Sequence, residues 1–299
     1  MKQALRIANI KRKIFLSKIA GKENKFYFNK FINYDERLSF KKISRTIEPW
    51  AFIRISNEES TLEMSLESAA KAFSKGVIAY NSCTDKSPEI IKNFCTEHPD
   101  FFYVEYPFDI VPANSQLLKD KANDIPYRNT LAAYYNFVLS FIPKGDWLCK
   151  IDGDHFHFSE VFNFGISRIQ SSHDFIWFPR VDCYIDKSTN PPTPYGVKRH
   201  VGSDQWLVQN TDLYFENVSF TDNNGFHAYE TLRWKSPRIV TSTECASIHF
   251  PYEKKRRSQS IPKQMTPWED FSKELPYGFL NPKYSKKEAI EDIFAKIKR

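Results

Sequence analysis

Over the first third of the chain, short apolar runs alternate with amphipathic stretches. Trp50-Ala51-Phe52-Ile53-Arg54-Ile55, just after Glu48-Pro49, is apolar at nearly every position and predicts a buried strand. Leu62, Met64, Leu66, Ala69, Ala70 and Phe73 then recur at helical spacing, with Ser60 or Thr61 offering the N-cap and Gly76 the stop. Val77 to Tyr80 predicts the next strand. Ser87-Pro88 opens a second helix through Ile90, Ile91, Phe94 and Cys95, which stops near His98-Pro99, and Phe101 to Glu105 resumes as strand. This β-α-β-α-β order predicts an α/β fold with a mostly parallel, doubly wound sheet, whose ligands sit beyond the carboxyl ends of the strands. The loops Ser56-Asn57-Glu58-Glu59 and Asn81 to Asp85 are thereby expected at the binding edge.

Farther along, a helical run covers Leu131 to Ile142, and Trp147 to Ile151 forms a short apolar strand that delivers Asp152-Gly153-Asp154-His155 at its carboxyl end. A helix is expected at 159–171, a strand from Phe175 to Pro179 continuing through Val181 to Ile185, a Pro-rich loop at 188–196 and a strand at 205–209. Residues 212–236 read as mixed, with Glu230 of Gly225-Phe226-His227-Ala228-Tyr229-Glu230 near a helix start. Residues 239–243 and 246–250 look extended, and a helix at about 285–298 closes the chain. The pattern suggests a basic N-terminal extension (1–48), one catalytic domain (49–252) and a basic C-terminal tail (253–299).

Composition narrows the class. A chain of 299 residues with 41% hydrophobic residues, 26 Phe and 15 Tyr can bury a large core, which excludes a disordered protein. The five cysteines, Cys83, Cys95, Cys149, Cys183 and Cys245, lack the close spacing of zinc or redox motifs and suit a reducing compartment. No apolar run approaches the ~20 residues of a membrane span, so the expected location is cytoplasmic. The net charge of +7 is concentrated in Lys11-Arg12-Lys13, Lys254-Lys255-Arg256-Arg257 and the C-terminus, which implies anionic partners without choosing among phosphates, lipid and RNA.

Asp152 and Asp154 carry the candidate chemistry. Two carboxylates at a strand end can hold Mn²⁺ or Mg²⁺ while the ion bridges the phosphates of a nucleotide sugar, neutralising the charge that develops as the diphosphate leaves. Gly153 lets the backbone turn closely past the ligand. His249, at the end of a late apolar strand, is a candidate third ligand; His155 and His157 share one face if extended, one expected near the cleft and the other packed. Asn57, Glu58, Asp85 and Arg128 are candidates for binding the donor's base, ribose or phosphates, with helix capping the competing role for the acids. The general base for the acceptor hydroxyl is sought among Asp182, Asp204, Asp222 and Glu230. Two other readings compete. A phosphoesterase can be built on Asp152, Asp154, His155, His157 and His249, and a basic RNA-binding protein on the aromatic residues.

Trp50 to Glu58, the 81–85 loop, Tyr127-Arg128-Asn129, Ile151 to His155, Gly202-Ser203-Asp204-Gln205-Trp206 and Ile248 to Arg257, taken in this order, resemble the bacterial β-1,4-N-acetylgalactosaminyltransferases that build ganglioside-like lipooligosaccharides in Campylobacter and its relatives. The resemblance covers roughly residues 50–257. It implies a GT-A fold, a UDP-sugar donor (UDP-N-acetylgalactosamine or a close relative), Mn²⁺ or Mg²⁺, and inversion at the anomeric carbon. It maps the base onto Glu230, with Asp204 second, although Tyr229 and Thr231 stand where paired acids are usual. It also implies an oligosaccharide acceptor, peripheral attachment to the anionic inner membrane through the basic tail, and no nucleic-acid partner.

Overall fold

The computed structural model describes residues 47–112, 115, 117–118, 124–222, 225–234, 238–254 and 261–297. The predicted alternation is present: β1 (Trp50–Ile55), α1 (Leu62–Ala70), β2 (Lys75–Asn81), α2 (Ser87–Glu97) and β3 (Phe101–Tyr106). After a single 3₁₀ turn at Tyr127–Asn129 come α3 (Leu131–Leu139), β4 (Trp147–Asp152), β5 (His155–His157) and α4 (Ser159–Ser167). The remaining elements are β6 (Asp174–Asp186), β7 (Thr193–Gln209), β8 (Tyr214–Asp222), β9 (Gly225–Arg233), β10 (Arg238–Thr241), β11 (Ser247–His249), β12 (Thr266–Pro267), α5 (Trp268–Glu274) and α6 (Lys287–Phe294).

A large sheet runs β3-β2-β1-β4-β7-β6-β11-β5, with β10 and β12 attached to β6 and β7. β1 pairs parallel with both β2 and β4, as the crossover helices require, so the loops after these three strands emerge at one edge. β7 enters antiparallel to β4 and β6, because a short loop rather than a crossover joins it to β6. The Pro-rich stretch read as a loop at 188–196 is therefore strand from Thr193 onward, and β7 runs 17 residues where five were expected. Gly76, expected to end α1, lies inside β2. A Cβ there would come within 2.5 Å of the Phe101 ring, which is why the position is glycine.

The chain divides into two compact units. One comprises residues 47–104, 147–209 and 238–297 among those described. Its core gathers Ile53, Ile55, Leu62, Phe73, Ile78, Ile151, Phe162, Phe178 and Leu207. Residues 261–297, read from the sequence as tail, add Trp268, Phe271, Phe279, Ile290 and Phe294 to that same core. At about 25 cal/mol per Å² of apolar surface removed from water, such side chains anchor a segment whatever its charge.

The other unit comprises residues 105–146 and 210–235. Tyr106 packs on Tyr134 and Phe137, and Tyr135 stacks on Phe215 with centroids 4.3 Å apart. The stretch read as mixed at 212–236 is the β8–β9 hairpin, paired in register from Tyr214↔Arg233 to Asp222↔Gly225. Glu230 thus sits opposite Asn217 in a strand and not at a helix start. Lys11-Arg12-Lys13 with the rest of the N-terminal extension, Lys255-Arg256-Arg257 and Lys298-Arg299 lie outside the described residues.

Candidate active site at the carboxyl end of β4

The parallel register Arg54↔Asp152 brings the loops after β1 and β4 side by side. Their contact is tight: a Cβ on Gly153 would stand 2.1 Å from Glu58 Oε2 and 2.5 Å from Ile55 Cδ1. Thr61, at the N-cap position of α1, does not cap the helix with its side chain; its hydroxyl donates to the Gly153 carbonyl at 3.0 Å. Ser65, one turn on, donates to the Asp152 carbonyl at 2.9 Å. The helix start therefore clamps the acidic turn.

A second set of pairings supplies the histidines. β11 runs antiparallel to β5 with His249 opposite His155, and parallel to β6 with His249 opposite Asp182. These registers line up three side chains across three strands. The His155 and His249 rings stack at 4.3 Å, and His157 lies 5.9 Å beyond His155.

Asp154, 1% exposed, is the hub. His155 Nδ1 is 3.1 Å from its Oδ1, while His249 Nε2 and Lys254 Nζ approach its Oδ2 at 2.9 and 3.0 Å. Lys254 also reaches Glu58 Oε1 at 2.8 Å. On its far side His249 meets Asp182 through Nδ1 at 2.8 Å, and Asp182 is held further by His200 at 2.9 Å and Arg180 at 3.3 Å. Asp152 turns to Lys150 instead, at 2.8 Å.

The charges follow from this packing. Burial alone would raise the Asp154 carboxyl, but Lys254 and His249 outweigh it and hold it well below the usual range. The same competition, won by Lys150, keeps Asp152 low, and the bonds from His200 and His249 keep Asp182 low. His249 resists its own burial because Asp154 and then Asp182 favour its cation, and it rises to about 9. His155 and His157 have no such surplus of anions, and burial takes them down to about 4 and about 3. Burial pushes Glu58 up to about 7 despite Lys254, since Asp154 shares the same ammonium.

The ligand atoms of Asp154, His155 and His249 lie within 4.8 Å of one another, close enough to share one cation. Two buried polar atoms at this site, Glu58 Oε2 and His155 Nε2, have no hydrogen-bond partner among the described residues. The structure brings together Glu58, Asp154 and His249 of the sequence candidates, with Asp152 beside them. Asn57 and Asp85 brace the edge: Asn57, at φ 55°, accepts from the Thr84 N–H at 2.7 Å, and Asp85 accepts from the N–H groups of Glu59 and Ser87. Arg128 and Glu230 belong to the other unit, where Arg128 lies over the Phe108 ring. Asp204 lies where β7 shifts register against β6, between Gln205 and His200. Of the five residues proposed for a two-metal hydrolase, His157 is turned to Ser65 and Gln205 and Asp152 to Lys150, which leaves a donor set for a single ion.

Lys254 was legible only as part of a basic run, and Asp182 only as one acid among several. Neither has a local signal, since their partners are 100 and 67 residues away in the chain.

The family model described as β-1,4-N-acetylgalactosaminyltransferase (CgtA) matches residues 7–297. No curated protein matches the chain. Among solved structures the chain is similar to the mannosyltransferase PcManGT from Pyrobaculum calidifontis in complex with GDP-Man and Mn2+, at 13% identity and a TM-score of 0.35 over 60% of this chain and 47% of that one. The match thus spans about half the length of that structure, and at this level of likeness it adds nothing to the chemistry. The family match extends across both units and the whole site, and the chain belongs to the β-1,4-N-acetylgalactosaminyltransferase (CgtA) family of glycosyltransferases.

Proposed function

We propose that this chain transfers a sugar, N-acetylgalactosamine as the family description suggests, from its UDP conjugate to an oligosaccharide of the lipooligosaccharide type, with inversion and with a divalent metal. The observation that carries the reading is the buried Asp154 carboxylate at the carboxyl end of β4, with two imidazoles within ligand distance of one another around it.

The donor set fits such an ion. One carboxylate with two imidazoles suits Mn²⁺ better than Mg²⁺, which prefers oxygen and water. Asp154, His155 and His249 would hold it, with Asp152 adjacent. Asp182 accepts from His249 Nδ1 and so aims Nε2 at the ion's position, the carboxylate–imidazole arrangement that orients metal-bound histidines. When bound, the metal supplies charge neutralisation for the departing diphosphate.

The chain's own residues do the rest. Thr61 and Ser65 fix the acidic turn, and Glu58 lines it. Asn57, Asp85 and Arg128 remain our candidates for the donor's nucleoside and phosphates. In inversion the acceptor hydroxyl attacks the anomeric carbon from the face opposite UDP while a carboxylate takes its proton, a role for which Glu230 and then Asp204 are proposed.

No described helix is long and apolar enough to cross a membrane. We place the protein on the cytoplasmic face of the inner membrane, held through its basic C-terminal residues, each adding about 1 kcal/mol near an anionic leaflet. Retention on anionic liposomes at low salt, lost when Lys255 to Arg257 are replaced by Ala, is the expected result; equal binding of the variant would dismiss it.

The decisive experiment is UDP release from a panel of UDP-sugars with Mn²⁺ or EDTA, comparing wild type with Asp154→Ala. Metal-dependent turnover of one UDP-sugar, lost in the variant, supports the reading; no response to any nucleotide sugar would overturn it.

A further inference from the structure

Lys254 occupies a position that the proposed metal also needs. Its Nζ stands 3.0 Å from Asp154 Oδ2, and the same oxygen faces His249 Nε2 at 2.9 Å. An ion held by Asp154 and His249 would need the same carboxylate charge that Lys254 now neutralises. A second cation 3 Å from that oxygen would repel it in a site where Asp154 is 1% exposed and screening is weak.

The backbone just before Lys254 is held, so that a displacement of Nζ falls to the side chain. Lys254 follows the turn Pro251–Glu253, and that turn is pinned: Ser60 donates to the Glu253 carbonyl at 3.0 Å, and Lys187 reaches the Glu253 carboxylate at 2.7 Å. Beyond the pinned point the lysine has four side-chain torsions, whose rotation carries Nζ several ångströms. Its other partner, Glu58, stands on the loop after β1, at the edge where the donor is expected.

We infer that Lys254 is an exchangeable counter-ion: in the free protein it holds the cation position on Asp154, and it passes to the donor's diphosphate when the metal–nucleotide arrives. This rests on the donor and metal proposed above. The exchange couples the two ligands. Metal alone displaces an ammonium that keeps only Glu58, whereas metal with a nucleoside diphosphate also gives that ammonium a phosphate oxygen to meet. By linkage the nucleotide must tighten the metal by the same factor that the metal tightens the nucleotide.

The test measures Mn²⁺ binding from the electron paramagnetic resonance signal of the free ion, with and without UDP, in the full-length protein. Wild type is expected to bind Mn²⁺ weakly alone and at least roughly tenfold more tightly with UDP. Lys254→Met should bind Mn²⁺ alone roughly tenfold more tightly than wild type and lose most of the UDP effect; Lys254→Arg should keep the wild-type pattern. Circular dichroism and a melting curve establish that each variant is folded. Should Lys254→Met not fold, Lys254→Gln, which removes the charge but keeps a polar side chain of similar length, should raise the affinity for Mn²⁺ alone in the same direction. Unchanged or weaker Mn²⁺ binding in the folded variant, beside a wild type that binds Mn²⁺ with UDP, overturns the exchange. A wild type that binds no Mn²⁺ even with UDP removes instead the metal-dependent reading on which it rests.

Discussion

Among the described residues, two groups of acids and histidines bring ligand atoms close enough to share a cation: Asp154, His155 and His249 at the strand ends, and Glu67, Glu97 and His98 on α1 and at the end of α2. The first is buried, with Asp154 and His155 at 1% and His249 at 8% exposure. In the second the Glu67 side chain is 49% exposed, and its contact with His98 is 3.5 Å long. His98 spends its ring on Phe94, stacked at 4.3 Å. Proximity is common to both groups. What separates them is that members of the first are held by further residues, Asp182 behind His249 and Lys254 on Asp154, with Thr61 and Ser65 on the backbone just before Asp154. Burial removes the screening that makes exposed charge pairs worth roughly 0–1 kcal/mol, and the supporting bonds fix the orientation.

Mutation should break the likeness of the two groups. The largest effect belongs to Asp154→Ala, expected to lower metal-dependent UDP release at least about 100-fold, the scale of losing a main electrostatic contact to the leaving group. Asp182→Asn, which never touches the ion's position, should weaken Mn²⁺ by about 10–100-fold through loss of the carboxylate behind His249, as a metal titration can show. A variant with unaltered affinity would make Asp182 merely structural. Gly153→Ala must push Glu58 and Ile55 aside and should cost about 1–3 kcal/mol, seen as a lower melting temperature.

The next effect is a matter of pH. His249 is raised from the ordinary 6.5 to about 9, so the folded protein binds its proton more tightly than the unfolded chain does. The resulting stabilisation is complete below pH 6.5 and is lost as pH rises from there through about 9. In EDTA, the difference in melting temperature between wild type and His249→Gln should therefore be greatest near pH 6 and shrink toward pH 9; a constant difference contradicts the charged His249. Smallest of all, Glu67→Ala with Glu97→Ala should leave turnover unchanged within about twofold and stability within about 0.5 kcal/mol. A large loss there would mean that proximity alone had been sufficient.

The sequence by itself determined the β-α-β-α-β order, because helical and strand periodicities are local properties of runs such as 50–55 and 62–73. It also placed Asp152 and Asp154 at a strand's carboxyl end, since an apolar run followed by Asp-Gly-Asp is legible without any partner. The late strand ending at His249 was read in the same way. The motif pattern further carried a family resemblance over residues 50–257, and the family model extends it to 7–297. Tertiary structure alone decided which acids and bases meet. Asp182 joins His249 through the register of β6 and β11, Lys254 joins Glu58 and Asp154 across 196 and 100 residues, and Glu230 lies in a hairpin strand that no helix-start signal foresaw. The reason is physical: strand register and long-range burial are set by how whole faces pack together, and one residue's neighbours in sequence hold almost none of that information.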